Sequence, residues 1–473
     1  MAPHTSSLTK INIISRDQGS DKVPLLPAKN GHAGSAEVPD GYNGASFASA
    51  VFSLTTSVVG AGIMGLPAAV KTLGVIPGVL VIAIVGLLAD AGVEIMLKFS
   101  NTGKIVSYGG LMADSFGRVG RIILQACVTV NNFGILVVYL IIIGDVMSGS
   151  TSGTVHHSGV LEEWAGGQTW WNSRLSVFVF TTLVILAPLA SFKHVDALRL
   201  SSAISVALAV LFVVVMVMVT IAKLAIGNVA MPRLFPNIEN GWSLLEVFEV
   251  IPIVVTAYIC HQSVHPIINE LTMPSQAFGV VRTSLAVCTA IYVAMSVFGF
   301  ILFGDNTMTD VLSNFDTNLG VPYSTVLCDI VRVGYALHLV LVFPILHFTL
   351  RLNLDGLLFP ASRPISMDNR RFTLITAGIM SLIFFGAYMI PSIDVAFQFT
   401  GATAGMCIGF IFPSIVCLRD IHEISTKREK VVSWIMVVLA IAVGIVAITS
   451  DILDIFVNKS STTPSGHVDG FIH

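Results

Sequence analysis

The sequence predicts an all-α polytopic membrane protein with eleven transmembrane helices, and three observations lead there. The 473-residue chain is 54% hydrophobic and 11% charged, with a mean hydropathy of +0.84, whereas soluble domains carry about 25% charged residues. A bilayer-crossing helix needs about 20 apolar residues. Such segments follow one another near 46–70, 74–98, 121–147, 174–191, 201–226, 245–270, 281–303, 323–350, 372–390, 394–418 and 431–456. The basic residues then alternate between the intervening loops. Of the 25 Lys and Arg, Arg332 falls inside a span, and Lys71, Arg174, Lys223, Arg233 and Lys459 fall on one side. All the others fall on the opposite side. The positive-inside rule places the N-terminus in the cytosol and the C-terminus outside it, and one helix more or fewer would scramble the alternation.

The same composition argues against other classes. No basic block suggests a nucleic-acid partner, and the net charge of −3 says nothing about partners in so apolar a chain. Cys127, Cys260, Cys288, Cys328, Cys407 and Cys417 all lie in apolar segments without zinc-type spacing. Neither a disulfide framework nor a structural metal is expected, and no cofactor is called for. The first apolar run starts too far into the chain, and is too long, for a cleaved signal peptide. No nucleophile–base constellation marks an enzyme.

In chain order, residues 1–44 are polar, rich in Ser, Gly, Pro and Asn, and read as a disordered cytosolic tail. Within it, Asp21 to Leu26 is similar to an acidic dileucine sorting signal, which implies a sorting adaptor and a vacuolar or endolysosomal membrane. Residues 45–457 form the eleven-helix domain, and 458–473 a short tail outside the cytosol. The first span carries Gly60, Ala61 and Gly62 at its centre, then Gly65 and Pro67. Glycine costs roughly 1 kcal/mol in a helix interior and proline removes a donor, so a plain anchor would not use them. Close helix packing is one reading; a helix that opens at membrane depth around a cavity is the other. The sixth span is interrupted too, by Pro252, Thr256 to Tyr258, His261, His265 and Pro266. Breaks at corresponding positions of two halves point to an inverted repeat with a substrate site between them. Spans one to five and six to ten would be the repeats, with the eleventh outside.

Several stretches resemble the amino acid/auxin permease family, in the branch of sodium-coupled neutral amino acid transporters and plant or fungal vacuolar amino acid transporters. They are Ser57 to Pro67, Asn132 to Gly134 with Tyr139 and Leu140, Cys260 to Pro266 leading to Glu270, Val331 and Arg332 through Pro344 to Arg351, and Gly401 to Ala404 with Phe412 to Ser414. The resemblance runs in order through nearly all of the chain after the tail. It implies the LeuT-like fold, a 5+5 inverted repeat plus one extra helix, and amino acid transport driven by an ion gradient.

An amino acid zwitterion fits such a site. Opened backbone at Gly60, Ala61 and Gly62 offers N–H groups at a half-helix N-terminus to the carboxylate. Carbonyls from Thr256 to Ile259 offer acceptors to the ammonium. Tyr258, Phe248, Asn131, Asn132 and Tyr139 are candidate walls, with packing as their alternative role. Ionisable groups inside spans count as functional candidates. Asp90 and Glu94 share a helix face, with Glu94 close to Lys98; Arg332 has Asp329 three residues back; and His338 sits deep in the eighth span. The resemblance implies a sodium site between the first and eighth helices. There this chain offers Thr56 but also Val340 and Val342, and valine gives no oxygen to a hard cation. Protons are therefore favoured over sodium. His338 is then either the coupling group or a neutral, hydrogen-bonded histidine. Two functions stay open, a proton-linked carrier of neutral or acidic L-amino acids exporting from the vacuole and an amino acid-sensing receptor, with sodium-coupled uptake at the plasma membrane as a variant.

Overall fold

The computed structural model describes residues 44–390, apart from 153–154, 228, 230, 239–240, 317–318 and 361, and residues 401–461. The polar tail with its Asp21 to Leu26 segment, the start of the tenth predicted span and the chain beyond 461 lie outside the described residues.

A spanning segment must satisfy its own backbone, so the apolar runs fold as helices. They are α1 (Phe47–Val58), α2 (Gly62–Leu73), α3 (Val75–Gly103) and α4 (Tyr108–Ser148). A small antiparallel hairpin follows, β1 (Ser150–Ser152) with β2 (Val155–His157), then a short helix α5 (Val160–Ala165). Next come α6 (Arg174–Ala190), which is π-helical over Thr181–Leu186, and α7 (Arg199–Ile226). After these lie α8 (Gly241–Ala257), α9 (His261–Ile268), α10 (Ala277–Phe303), α11 (Ser324–Leu358), α12 (Asn369–Met389), α13 (Thr403–Arg419) and α14 (Lys427–Ser461). Among the described residues, eight helices are long and apolar enough to cross a membrane, with Val250–Ile268 taken as one; α1 and α2, bent by 59°, make a ninth. The shorter apolar helices α6 and α13 hold the places of the fourth and tenth predicted segments.

Local chemistry sets the helix boundaries. Ser46, Ser107, Ser173 and Asp368 accept a backbone N–H at the starts of α1, α4, α6 and α12, which satisfies donors that the helix itself leaves free. Thr426 and Glu429 form a reciprocal capping box at the start of α14. Helix α4 begins well before the predicted segment at 121. Polar residues hide its first turns from a hydropathy window, and Gly117 bends it with φ 67°, a conformation that glycine adopts without steric cost.

Two ends of the bundle are distinct. At the hairpin end, Lys71 donates to the Thr307 carbonyl, and Arg233 pairs with Asp305. At the basic end, Lys98 pairs with Glu429 and Arg351 donates to the Ala190 and Phe192 carbonyls. There Ala45 and Leu271 form an isolated parallel bridge; the Ala45 N–H bonds the Glu270 carbonyl and the Thr272 N–H bonds the Ala45 carbonyl. The bridge ties the start of α1 to the end of α9.

The polar pairs differ from the expected ones. Arg332 does not pair with Asp329. It reaches Glu163 at 2.8 Å and the Ser158 carbonyl, while Asp329 accepts from the Trp164 indole. The segment after α4 folds over the end of α11 and supplies those acceptors. Glu94 pairs with Arg282 of α10, leaving Lys98 to Glu429. None of the six cysteines forms a disulfide.

Arg332 is buried among these partners, so Arg332→Leu strands the Glu163 carboxylate and the Ser158 carbonyl. The expected cost is about 1–3 kcal/mol. It should appear as a lower melting temperature of the purified protein, with membrane insertion kept; an unchanged melting temperature would remove the structural role.

Candidate functional site

The first span stops where its small residues stand. The Val59 N–H makes the last α1 bond, to Thr55 at 2.8 Å, and α2 resumes with Ile63 N–H to the Gly60 carbonyl at 3.3 Å. The sixth span breaks between α8 and α9, over Tyr258 to Cys260. It breaks later than Pro252, which stays inside α8. Thr256 is still helical, and its hydroxyl donates back to the Pro252 carbonyl at 2.7 Å, so its side chain faces its own helix.

The two breaks touch. A Cβ built on Gly62 would lie 2.9 Å from the Ala257 Cα, a backbone atom with no freedom to yield. A Cβ on Gly60 would lie 1.8 Å from the Tyr139 hydroxyl, and the Ala61 N–H bonds that hydroxyl. Close backbone approach thus explains the small residues better than packing between two intact helices.

Broken backbone at this depth needs partners, and intact helices supply them. Tyr292 of α10 reaches both the Val58 carbonyl at 2.8 Å and the Ala257 carbonyl at 2.7 Å, one on each broken span. Tyr335 of α11 donates to the Gly60 carbonyl at 2.9 Å. His338, completely buried, lies one turn further. Its Nε2 is 3.1 Å from the Val59 carbonyl, and its Nδ1 is 2.9 Å from both the carbonyl and the hydroxyl of Ser205. Thr56 spends its hydroxyl on the Ser202 carbonyl at 3.0 Å. Val340 and Val342 are buried and offer no oxygen. Among the described residues, no group of three His, Cys, Asp or Glu could hold a metal ion.

The remaining candidates fall elsewhere. Tyr258 packs edge-on to Tyr292 and donates to Thr289. Asn132 lies two turns along α4 from Tyr139, where its Oδ1 accepts from Asn131 at 3.2 Å and Gln262 at 3.3 Å. Asp90 and Glu94 face Arg282 in a partly exposed group at the basic end. Arg332 sits at the hairpin end, and Phe248 is exposed and so forms no wall. Tyr292, Tyr335, Ser202 and Ser205 were missed. Their one signal is that a phenol or hydroxyl in an apolar span must find a partner.

A family model described as transmembrane amino acid transporter protein matches residues 43–455. The chain belongs to this family. It is 52% identical to amino acid transporter AVT6A of Arabidopsis thaliana over 435 residues, covering 92% of this chain and 94% of that one. It is 24% identical to solute carrier family 38 member 10 of Rattus norvegicus, over 81% of this chain and 34% of the other. The branch expected from the motifs is thereby supported, and the family is one of transporters and not of enzymes. Among solved structures, the fold is similar to the manganese transporter of Eremococcus coleocola, with a TM-score of 0.55 at 12% identity over 89% and 90% of the two chains. It is also similar to MhsT in complex with L-phenylalanine, with a TM-score of 0.52 at 14% identity over 84% and 98%. At those identities the likeness concerns fold alone.

For a transporter of this family, contact between the breaks gives a sharp expectation. Gly62→Val meets the α8 backbone, and overpacking of this kind costs about 1–3 kcal/mol. Expression and membrane insertion should stay near wild type while uptake falls about tenfold or more. Normal uptake by this variant would return the Gly60–Gly62 stretch to simple packing.

Proposed function

We propose that this protein moves neutral, or alternatively acidic, L-amino acids by alternating access around the α1–α2 and α8–α9 breaks, and that a proton is the coupling ion. The observation that carries the reading is the meeting of the two breaks, with Tyr292 holding one carbonyl of each. The amide groups at the start of α2 form a half-helix N-terminus suited to a carboxylate, with the Tyr139 hydroxyl beside them. The carbonyls of Gly60 and Ala257 are suited to an ammonium once Tyr335 and Tyr292 release them. On this reading Gly60, Ala61, Gly62 and Tyr139 bind substrate. Thr256, Tyr258 and Asn132 support the site from outside it.

Sodium has little to bind here. The valines offer no oxygen, and the His338 imidazole stands against the Val59 carbonyl. His338 suits a proton instead. In the neutral ring, Nε2–H donates to Val59 and bare Nδ1 accepts from the Ser205 hydroxyl. In the doubly protonated ring, both nitrogens donate, to the Val59 and Ser205 carbonyls. One rotation of the Ser205 hydroxyl accommodates either state. Arg332, Asp90 and Glu94 have partners remote from this point, so His338 carries the coupling.

The wider reading keeps eleven spans, a 5+5 inverted repeat with α14 outside it, a cytosolic N-terminus and export from the vacuole. The basic-residue alternation and the places held by α6 and α13 support the spans and their orientation, and the dileucine-like Asp21 to Leu26 segment supports the vacuolar membrane.

Purified protein in vesicles, tested against a panel of amino acids under imposed pH and sodium gradients, decides the coupling. Replacing sodium by choline should leave uptake unchanged, and a protonophore should collapse accumulation. Strict sodium dependence would overturn the proposal.

A second measurement addresses His338. His338→Gln keeps hydrogen-bonding capacity but removes the titration, so uptake down a substrate gradient should persist while its pH dependence and uphill accumulation disappear. Retention of both would move the proton elsewhere.

A further inference from the structure

Outside the site, the outer face between α6 and α12 carries a groove of about 590 Å³. Its walls are mostly apolar, including Leu183, Met380 and Phe384, and it contains the Thr182 hydroxyl, buried and without a partner among the described residues. Leu183 and Phe385 stand 66% and 60% exposed along it. In a membrane-spanning bundle that surface faces hydrocarbon.

The groove is not apolar to its end. Toward the basic end it shares Phe372 with a smaller pocket of about 40 Å³, lined by Lys193, His194, Glu270, Arg351 and Ser366 among others. Arg351 is 1% exposed, with its guanidinium carbon 4.0 Å from the Phe372 ring centre. It donates to the Ala190 and Phe192 carbonyls and to the Thr376 hydroxyl, and its Nε–H has no partner among the described residues. The Lys193 ammonium reaches the Ser366 carbonyl and the Asn369 side chain and lies 5.5 Å from the Phe372 ring centre. Among the described residues neither cation is paired with a carboxylate. Glu270 lines the same pocket and accepts from the Val195 N–H at 2.9 Å, so the pocket sets two cations against one carboxylate and keeps a net positive charge. Asp355 is taken by Arg371, and Asp368 caps α12. Burial and then the neighbouring Lys193 charge lower the pKa of His194 below its ordinary value, so this ring adds no positive charge. An excess of positive charge beside the buried Arg351 is costly unless an anion offsets it. Basic pockets beside spanning helices are suited to anionic headgroups.

We propose that this face binds an anionic phospholipid, with an acyl chain in the α6–α12 groove and its phosphate at Lys193 and Arg351. Charge complementarity at one end and lipid exposure along the rest select this occupant. A neutral lipid leaves the cations uncompensated, and a free anion leaves the groove empty. The proposal does not depend on the transport reading, because its test measures binding.

Full-length protein in mild detergent is incubated with equal amounts of phosphatidylserine and phosphatidylcholine, and retained lipid is read by native mass spectrometry. Wild type should retain phosphatidylserine in preference, and an equal concentration of inorganic phosphate should not displace it. Lys193→Glu should lower phosphatidylserine retention by about fivefold or more and leave phosphatidylcholine unchanged. Ala377→Trp, which fills the groove from its exposed wall, should lower both lipids without changing the melting temperature. Equal retention of the two lipids by wild type would overturn the proposal, as would indifference to Lys193→Glu. Displacement by phosphate would reassign the pocket to a free anion, and a dimer lost in Ala377→Trp would reassign the groove to a second copy of the chain.

Discussion

The structure depends on satisfying peptide carbonyls where a spanning helix has been opened. In hydrocarbon each orphaned carbonyl costs several kcal/mol, so a break is stable only if other elements bring donors to it. Tyr292, Tyr335 and His338 do so for Val58, Val59, Gly60 and Ala257. Tyr292 is the strictest case, since one phenol hydroxyl lies against carbonyls of two different broken spans. Those spans are therefore held to each other through α10 and to the rest of the bundle through α11.

This arrangement shapes any motion of the broken spans. Their acceptors are backbone, while their donors are side chains on intact helices, so movement exchanges partners and need not melt a helix. On the proposed cycle, the substrate ammonium takes over carbonyls that Tyr335 and Tyr292 release, and binding is linked to movement because the same acceptors serve both. The Val59 carbonyl imposes a second exclusion. It already accepts from the His338 ring, so on the proposed reading the imidazole stands against an oxygen that a metal ion would otherwise share.

The break in the first span was legible because its cause is local. A Cβ at 60 would stand 1.8 Å from the Tyr139 hydroxyl and one at 62 would stand 2.9 Å from the Ala257 Cα, so the close approach needs glycine. The second break was legible in place but not in detail. Pro252 suggested an early interruption, yet the Thr256 hydroxyl bonds its carbonyl and α8 runs on to Ala257. The donors were not legible. Tyr292 and Tyr335 meet acceptors more than 200 residues away, and nothing in their neighbourhoods names the partner. Arg332 shows the opposite failure: the nearby Asp329 was an available partner, but tertiary folding brought Glu163 instead. Sequence proximity ranks partners well only for groups that stay on one helix.

Asn131, Asn132 and Gln262 add a final constraint. All three are buried next to the breaks and share one acceptor, Asn132 Oδ1, which leaves Asn131 Oδ1, Asn132 Nδ2 and Gln262 Oε1 without partners among the described residues. Both ring nitrogens of neighbouring His261 are also without partners among the described residues. Unmade bonds of this kind cost about 1–3 kcal/mol per group, so the contact of α9 with α4 is weaker than apolar packing would make it. A leucine in place of Gln262 would close the same space more firmly. A carrier gains from the weaker contact, because two arrangements exchange readily only when their free energies differ by a few kcal/mol. On the proposed cycle, the polar atoms that look like poor packing in a static protein keep the contact between α4 and α9 close to that balance.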